Sequence, residues 1–140
     1  MNRDDNEVKV FVRKDLHEIS KTDTILRNVI EDFRAYKQGA RLQVFGRDAA
    51  LTRPRPAAEM AELFHAHVLR NPKSQLIEMA RLKNPYRRTS DRFLIYTRGF
   101  FNSKHYYVLD YLNDNAHKKV DDMTYMHWLI DEAESFRKKM

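Results

Sequence analysis

Two segments of alternating pattern, RFLIYTRG (92–99) and HYYVLDYL (105–112), are separated only by residues 100–104. Both are rich in β-branched and aromatic residues and alternate along the chain, as a half-buried strand does. FNSK (101–104) can turn between them, so the pair reads as an antiparallel hairpin with a loop longer than the two-residue kind. A hairpin by itself is marginal in water and needs further strands or a helix to cover it. Two more candidates exist: VKVFV (8–12), with Val8, Val10 and Val12 on one side, and LFHAHVL (63–69). In the latter, alternation sends Phe64, Ala66 and Val68 to one face and His65 and His67 to the other.

The covering elements are helical. Residues 20–39 carry the stripe Leu26, Val29, Ile30, Phe33 and Tyr36, with Thr22 expected as N-cap, Asp23 at the favourable dipole end and Gly39 as the stop. Residues 120–140 carry Met126, Leu129, Ile130, Ala133, Phe136 and Met140 on one stripe. Between these, 42–51 reads as a turn followed by a short helical piece. TRPRP (52–56) blocks regular structure, and 57–63 suits one or two helical turns. Residues 71–91 form a basic connection with helical character around 74–82. The expected architecture is α+β: a small, mostly antiparallel sheet with helices packed on one face, leaving the other face to carry the histidines. Residues 1–7 are expected to be a flexible end and 8–140 a single domain.

The formal charge of +6 favours a polyanionic target such as nucleic acid or an acidic protein. The absence of cysteine excludes disulfides and thiolate chemistry. The charged start lacks the apolar run of a secretory signal, and no stretch is long and apolar enough to span a membrane, so a cytoplasmic protein is expected. No glycine-rich phosphate cradle is present. Histidines at i and i+2 on a strand can share a metal, but need a third ligand that no nearby motif supplies; neither metal nor cofactor is expected.

Positive charge gathers elsewhere. Arg81, Lys83, Arg87, Arg88 and Arg92 surround Tyr86 just before the hairpin, and His117, Lys118 and Lys119 follow it. Cations suit phosphates and an aromatic face suits a base. Histidines, a tyrosine and arginines on one sheet face would suit RNA cleavage. That reaction needs a base for the 2′-hydroxyl, an acid for the leaving 5′-oxygen and cations for the phosphorane.

The segments EDFRAYKQG, FGRDA, HAHV, RTSDRFLIYTRG, AHK and AESFR, in that order, resemble the YafO family of toxins. The resemblance implies a fold similar to the RelE/ParE superfamily. It also implies a ribosome-dependent mRNA interferase of a type II toxin–antitoxin module, an endoribonuclease that cleaves mRNA in the ribosomal A site and inhibits translation. A cognate antitoxin is the implied partner, alongside ribosome and mRNA, and the implied chemistry is metal-independent attack of a 2′-hydroxyl. His67 is the first candidate for proton transfer, followed by Arg88, His117, Tyr96 and His65. Arg47, Arg81, Lys83, Tyr86, Arg87, Arg92, Arg98, Lys118 and Lys119 are candidates for RNA binding, with Ser90 and Asp91 in support. Two alternatives stay open: a ParE-like toxin acting on gyrase, and a non-catalytic ribosome- or RNA-binding module.

Overall fold

A computed structural model describes residues 7–69 and 84–140. Arg81, Lys83 and the helical turn expected around 74–82 lie outside the described residues, as does 1–6. The elements in chain order are β1 (Lys9–Val12), α1 (Lys14–Ser20), α2 (Thr24–Lys37), β2 (Phe45–Ala50), α3 (Ala57–Met60), β3 (Phe64–Val68), a 3-10 turn (Pro85–Arg87), β4 (Phe93–Arg98), β5 (His105–Leu112), α4 (Ala116–Val120) and α5 (Met123–Lys139). Among the described residues, the sheet has five strands in the order β1-β5-β4-β3-β2. Three of its pairings are antiparallel, and β1 lies parallel to β5.

The α+β class and the β4–β5 hairpin stand as read from the sequence. The expectation of helices on one face only does not. Leu16, Leu26, Val29, Ile30 and Phe33 from α1 and α2 pack on Ala66, Val68, Leu94, Tyr96 and Val108. On the opposite face, Ala58 of α3 and Met126, Leu129, Ile130 and Ala133 of α5 pack on Phe93, Ile95 and Leu109. The reason is written in β4, where every residue from Phe93 to Thr97 is buried. A strand apolar on both sides must be covered on both sides.

Residues 20–39 hold the one helix expected there, α2, and α1 precedes it in a segment for which the sequence pattern gives no helix. α1 ends at Ser20, and α2 starts after Asp23, whose carboxylate accepts from the Leu26 N–H at 3.0 Å. Asp23 is therefore the N-cap, in place of Thr22, whose hydroxyl donates back to the Ile19 carbonyl. The terminal helix likewise starts later than expected, capped by Asp122 through the N–H groups of Thr124 and Tyr125. Residues 116–120 form the separate α4.

Residues 45–50 are a strand, correcting the turn and helical piece expected there. Phe45 pairs with Val68 and Asp48 with Ala66, so β2 holds one residue more than β3 across this interval. This β-bulge brings both Phe45 and Asp48 to the α2 face and breaks the alternation by which a strand would be recognised. Gly46 sits in the bulge. A Cβ there would collide with the Arg88 carbonyl, which accepts from the Arg47 N–H at 2.8 Å. The glycine permits a close approach of two chain segments rather than the tight turn that a glycine at this position suggests.

Candidate functional site

Alternation in β3 does separate the histidines from the Phe64–Ala66–Val68 face. His67 lies opposite Phe93 in the β3–β4 register, and His65 opposite Ile95. Both imidazole centroids stand 4.7 Å from the Phe93 ring and 5.2 Å from each other. The third ring comes from α4: His117 lies 4.9 Å from Phe93 and 5.8 Å from His67. Three imidazoles thus surround one phenyl ring, and residues distant in sequence meet because β4 delivers Phe93 between them. Among the described residues, no group of three or more His, Asp or Glu side chains is arranged to hold a metal.

Each ring has one nitrogen committed, and not in the same way. The Ser90 backbone N–H donates to His67 Nδ1 at 2.8 Å. An amide N–H can only donate, so Nδ1 carries the lone pair and the neutral ring keeps its proton on Nε2. His65 Nδ1 lies 2.8 Å from the Ala49 carbonyl, which can only accept, so His65 holds its proton on Nδ1 and presents an Nε2 lone pair. His117 Nδ1 donates to Asp91 Oδ1 at 2.7 Å, and the same oxygen accepts the His117 backbone N–H at 2.8 Å. Asp91 therefore orients the imidazole and ties down the first turn of α4, with its own carbonyl accepting from the Ala116 N–H.

Electrostatics differ along the row. His67 is 1% exposed. Burial, then the neighbouring His65, His117 and Arg47, push its pKa down to about 4. His65 is half-buried and shifted the same way, chiefly by burial; its bond to the Ala49 carbonyl and the Asp48 carboxylate work against that shift. The two N–H bonds from His117, backbone first, hold the Asp91 carboxyl below its usual range. A protonated His117 forms an ion pair with it.

The basic rim is built on the β2 bulge. Arg47 Nε donates to the Tyr86 carbonyl at 2.8 Å, and its guanidinium sits 4.1 Å from the centroid of the Tyr86 ring. Tyr86 is 55% exposed, on a 3-10 turn whose start is capped by the Asn84 side chain. Arg87 is exposed beside it and Arg88 half-buried. Arg92 is half-buried at the entry to β4, where its carbonyl accepts from Val68. Ser90 Oγ closes a local loop with the backbone of Arg92. Lys118 and Lys119 are exposed on α4, and the Lys119 ammonium lies 4.7 Å from the centroid of the Tyr125 ring.

Two expected members stand elsewhere. Tyr96 and Arg98 share a face, as alternation says, but it is the face opposite the histidines. Tyr96 is buried against Phe33, with centroids 4.8 Å apart, and donates to Asp48 Oδ1 at 2.6 Å. Asp48 also accepts from Tyr36 and Lys37. Burial and the Asp48 charge raise the Tyr96 phenol far above its ordinary value, so it is not poised to give up a proton. Arg98 is paired with Glu62 at 2.7 Å, and Arg137 shares the same carboxylate. Phe93, the hub, carries no proton-transfer or ligand chemistry that its residue type would advertise. Its place opposite Tyr96 in the alternation was the available signal, and using it required the β3–β4 register.

A family model described as Toxin YafO, type II toxin-antitoxin system, matches residues 34–138. No curated protein and no solved structure matches the chain. The matched span contains the β2 bulge, all three site histidines, Phe93 and Asp91, together with most of the quoted segments that carry the resemblance. The chain belongs to the YafO toxin family of type II toxin–antitoxin systems.

Proposed function

We propose that this toxin is a ribosome-dependent mRNA interferase, an endoribonuclease that cuts translated mRNA in the cytoplasm and so inhibits translation. The observation that carries this reading is the histidine row around Phe93. It places one half-buried neutral imidazole with an Nε2 lone pair (His65) in the same cluster as one exposed imidazole paired to a carboxylate (His117). Two titratable groups held in contrasting environments are what acid–base catalysis requires.

In the proposed reaction, His65 Nε2 takes the proton of a ribose 2′-hydroxyl. The 2′-oxygen forms a bond to the adjacent phosphorus while the bond from phosphorus to the 5′-oxygen breaks. Protonated His117 gives its proton to that 5′-oxygen. The products are a 2′,3′-cyclic phosphate and a 5′-hydroxyl end. His67, buried and holding its proton on Nε2, acts as a positioning residue between the two, rather than as the leading proton carrier that the sequence suggests. Arg47, Arg87, Arg88, Arg92, Lys118 and Lys119 attract and hold phosphates, and the outer face of Tyr86 stacks a base. A site with so exposed an acid gains from a substrate already oriented by the ribosome, because held geometry removes much of the barrier.

The test is brief induction in cells, followed by mapping of mRNA 5′ ends and polysome profiling. New 5′-hydroxyl ends confined to translated messages, absent with His65→Ala or His117→Ala, are expected. Growth arrest with intact mRNA would overturn the reading.

A further inference from the structure

At the far end of β4 from the histidines, the chain exposes two consecutive phenylalanines. Phe100 is 69% and Phe101 76% exposed, with their rings edge to face at 5.2 Å. From Phe93 this is roughly 20 Å along the strand direction. Met60, 72% exposed, joins them with Glu134, Arg137 and Lys138 around a cleft of about 400 Å³. Phe101 also borders a second, more polar depression of about 590 Å³, whose lining includes Lys104 and Lys139.

This patch is held in shape. The N–H groups of Phe101 and Asn102 donate to the Met140 carbonyl at 3.0 and 2.8 Å, joining the turn to the end of α5. A Cβ at Gly99 would strike the carbonyls of Asn102 and Met140, so the turn closes only with glycine there. Arg137 is anchored by Glu62 and the Arg98 carbonyl, with its guanidinium 5.7 Å from the Phe100 ring centroid. The phenylalanines project because the turn is locked beneath them. Contiguous exposed apolar side chains with a charged rim mark an interaction surface. Lys104, Lys138 and Lys139 are exposed around it, and among the described residues Glu134 is the one acidic side chain lining either depression.

We infer that this surface is where the antitoxin of the module docks, through an acidic amphipathic segment. Its apolar side chains enter the Met60–Phe100–Phe101 cleft, and its carboxylates meet Lys104, Lys138 and Lys139. The inference rests on membership of a type II toxin family and on this surface, not on the cleavage chemistry. It places the antitoxin away from the histidine row, so neutralisation leaves His117 open to solvent and acts by denying the toxin its target.

The experiment uses the full chain co-expressed with the antitoxin protein encoded beside it. Phe100→Glu with Phe101→Glu is expected to weaken co-purification at least 100-fold and to abolish rescue of growth, while the variant alone still arrests growth. His117→Ala is expected to bind the antitoxin like the parent, whatever it does to toxicity. Undiminished binding and rescue by the double variant would overturn the inference. So would lost toxicity with antitoxin binding kept, which assigns the patch to the toxin's target. A dimer of the free toxin that the double variant dissociates, again with binding kept, assigns it to a second copy and also overturns the inference. If circular dichroism finds the double variant unfolded, Lys104→Glu with Lys138→Glu, both at exposed positions, goes through the same assays against the same outcomes.

Discussion

The Ser90 N–H donates to Nδ1 of His67 across 2.8 Å, inside a site where His67 is 1% exposed. That bond settles which nitrogen of His67 holds the proton. It also ties the segment entering β4 to the middle of β3, the two strands that bring the histidines to Phe93. The same imidazole makes folding sensitive to pH.

His67 has a folded pKa lowered to about 4 from an ordinary 6.5. Between these values the unfolded chain binds a proton that the folded chain refuses, so stability rises with pH across this window and is lost as pH falls through it. Full protonation of the unfolded state costs about 3 kcal/mol from His67 alone. His65, shifted in the same direction, adds to the slope. Urea midpoints measured at pH 7.5, 6 and 4.5 should fall steadily, and His67→Asn should flatten the trend. A parent protein with equal midpoints at pH 7.5 and 4.5 would show that these imidazoles are not held neutral.

Asp91 joins two roles in one carboxylate, orienting His117 and capping α4. His117→Ala should lower mRNA cutting by about 10²–10⁴-fold, the range of a lost general acid. Its side chain is largely exposed, so the melting temperature should barely move. Asp91→Ala, which removes the acceptor, should cut activity roughly tenfold, about 1.4 kcal/mol, and destabilise the fold by about 1 kcal/mol through the lost cap. Single-turnover cleavage of ribosome-bound message, beside thermal unfolding of the same variants, separates the two effects. Equal losses of activity and stability in both variants would reduce the pair to a structural contact.

Gly46 is where β2 meets the segment carrying Tyr86 and Arg88. Gly46→Ala puts a methyl group into the Arg88 carbonyl, and overpacking of this kind costs about 1–3 kcal/mol. The displaced segment carries the Tyr86 ring away from Arg47, so RNA binding should weaken beyond the loss of stability. Denaturant unfolding together with fluorescence anisotropy on a short single-stranded RNA tests this. A variant as stable as the parent would mean the two segments do not touch as described.

Tyr96 belongs to a buried polar cluster with Asp48, Tyr36 and Lys37. Tyr96→Phe should therefore cost about 1 kcal/mol of stability while leaving cleavage unchanged. Asp48→Ala should cost about 3–5 kcal/mol, because it strands the Lys37 charge at a half-buried position. Cleavage abolished by Tyr96→Phe in a stable protein would return the phenol to the mechanism.

What the sequence determined by itself is local. The stripe of α2, the stripe of α5 and the alternation of β3, β4 and β5 are patterns of one segment against one environment, and all were legible because periodicity reports which side of an element is apolar. The same patterns separated His65 and His67 from Phe64, Ala66 and Val68. Membership of the toxin family was legible too, since short segments in fixed order identify a lineage without identifying roles. Tertiary structure decided the rest. β2 is a strand because β3 pairs with it through a bulge, and a bulge erases the period-2 signal. The helices cover both sheet faces because β4 is central, which depends on strand order rather than on any one strand. Tyr96 left the site because a face means nothing until the register says what shares it. The division of labour among His65, His67 and His117 rests on which backbone or carboxylate group reaches each Nδ1. Ala49, Ser90 and Asp91 supply those groups, and only folding brings them within 3 Å.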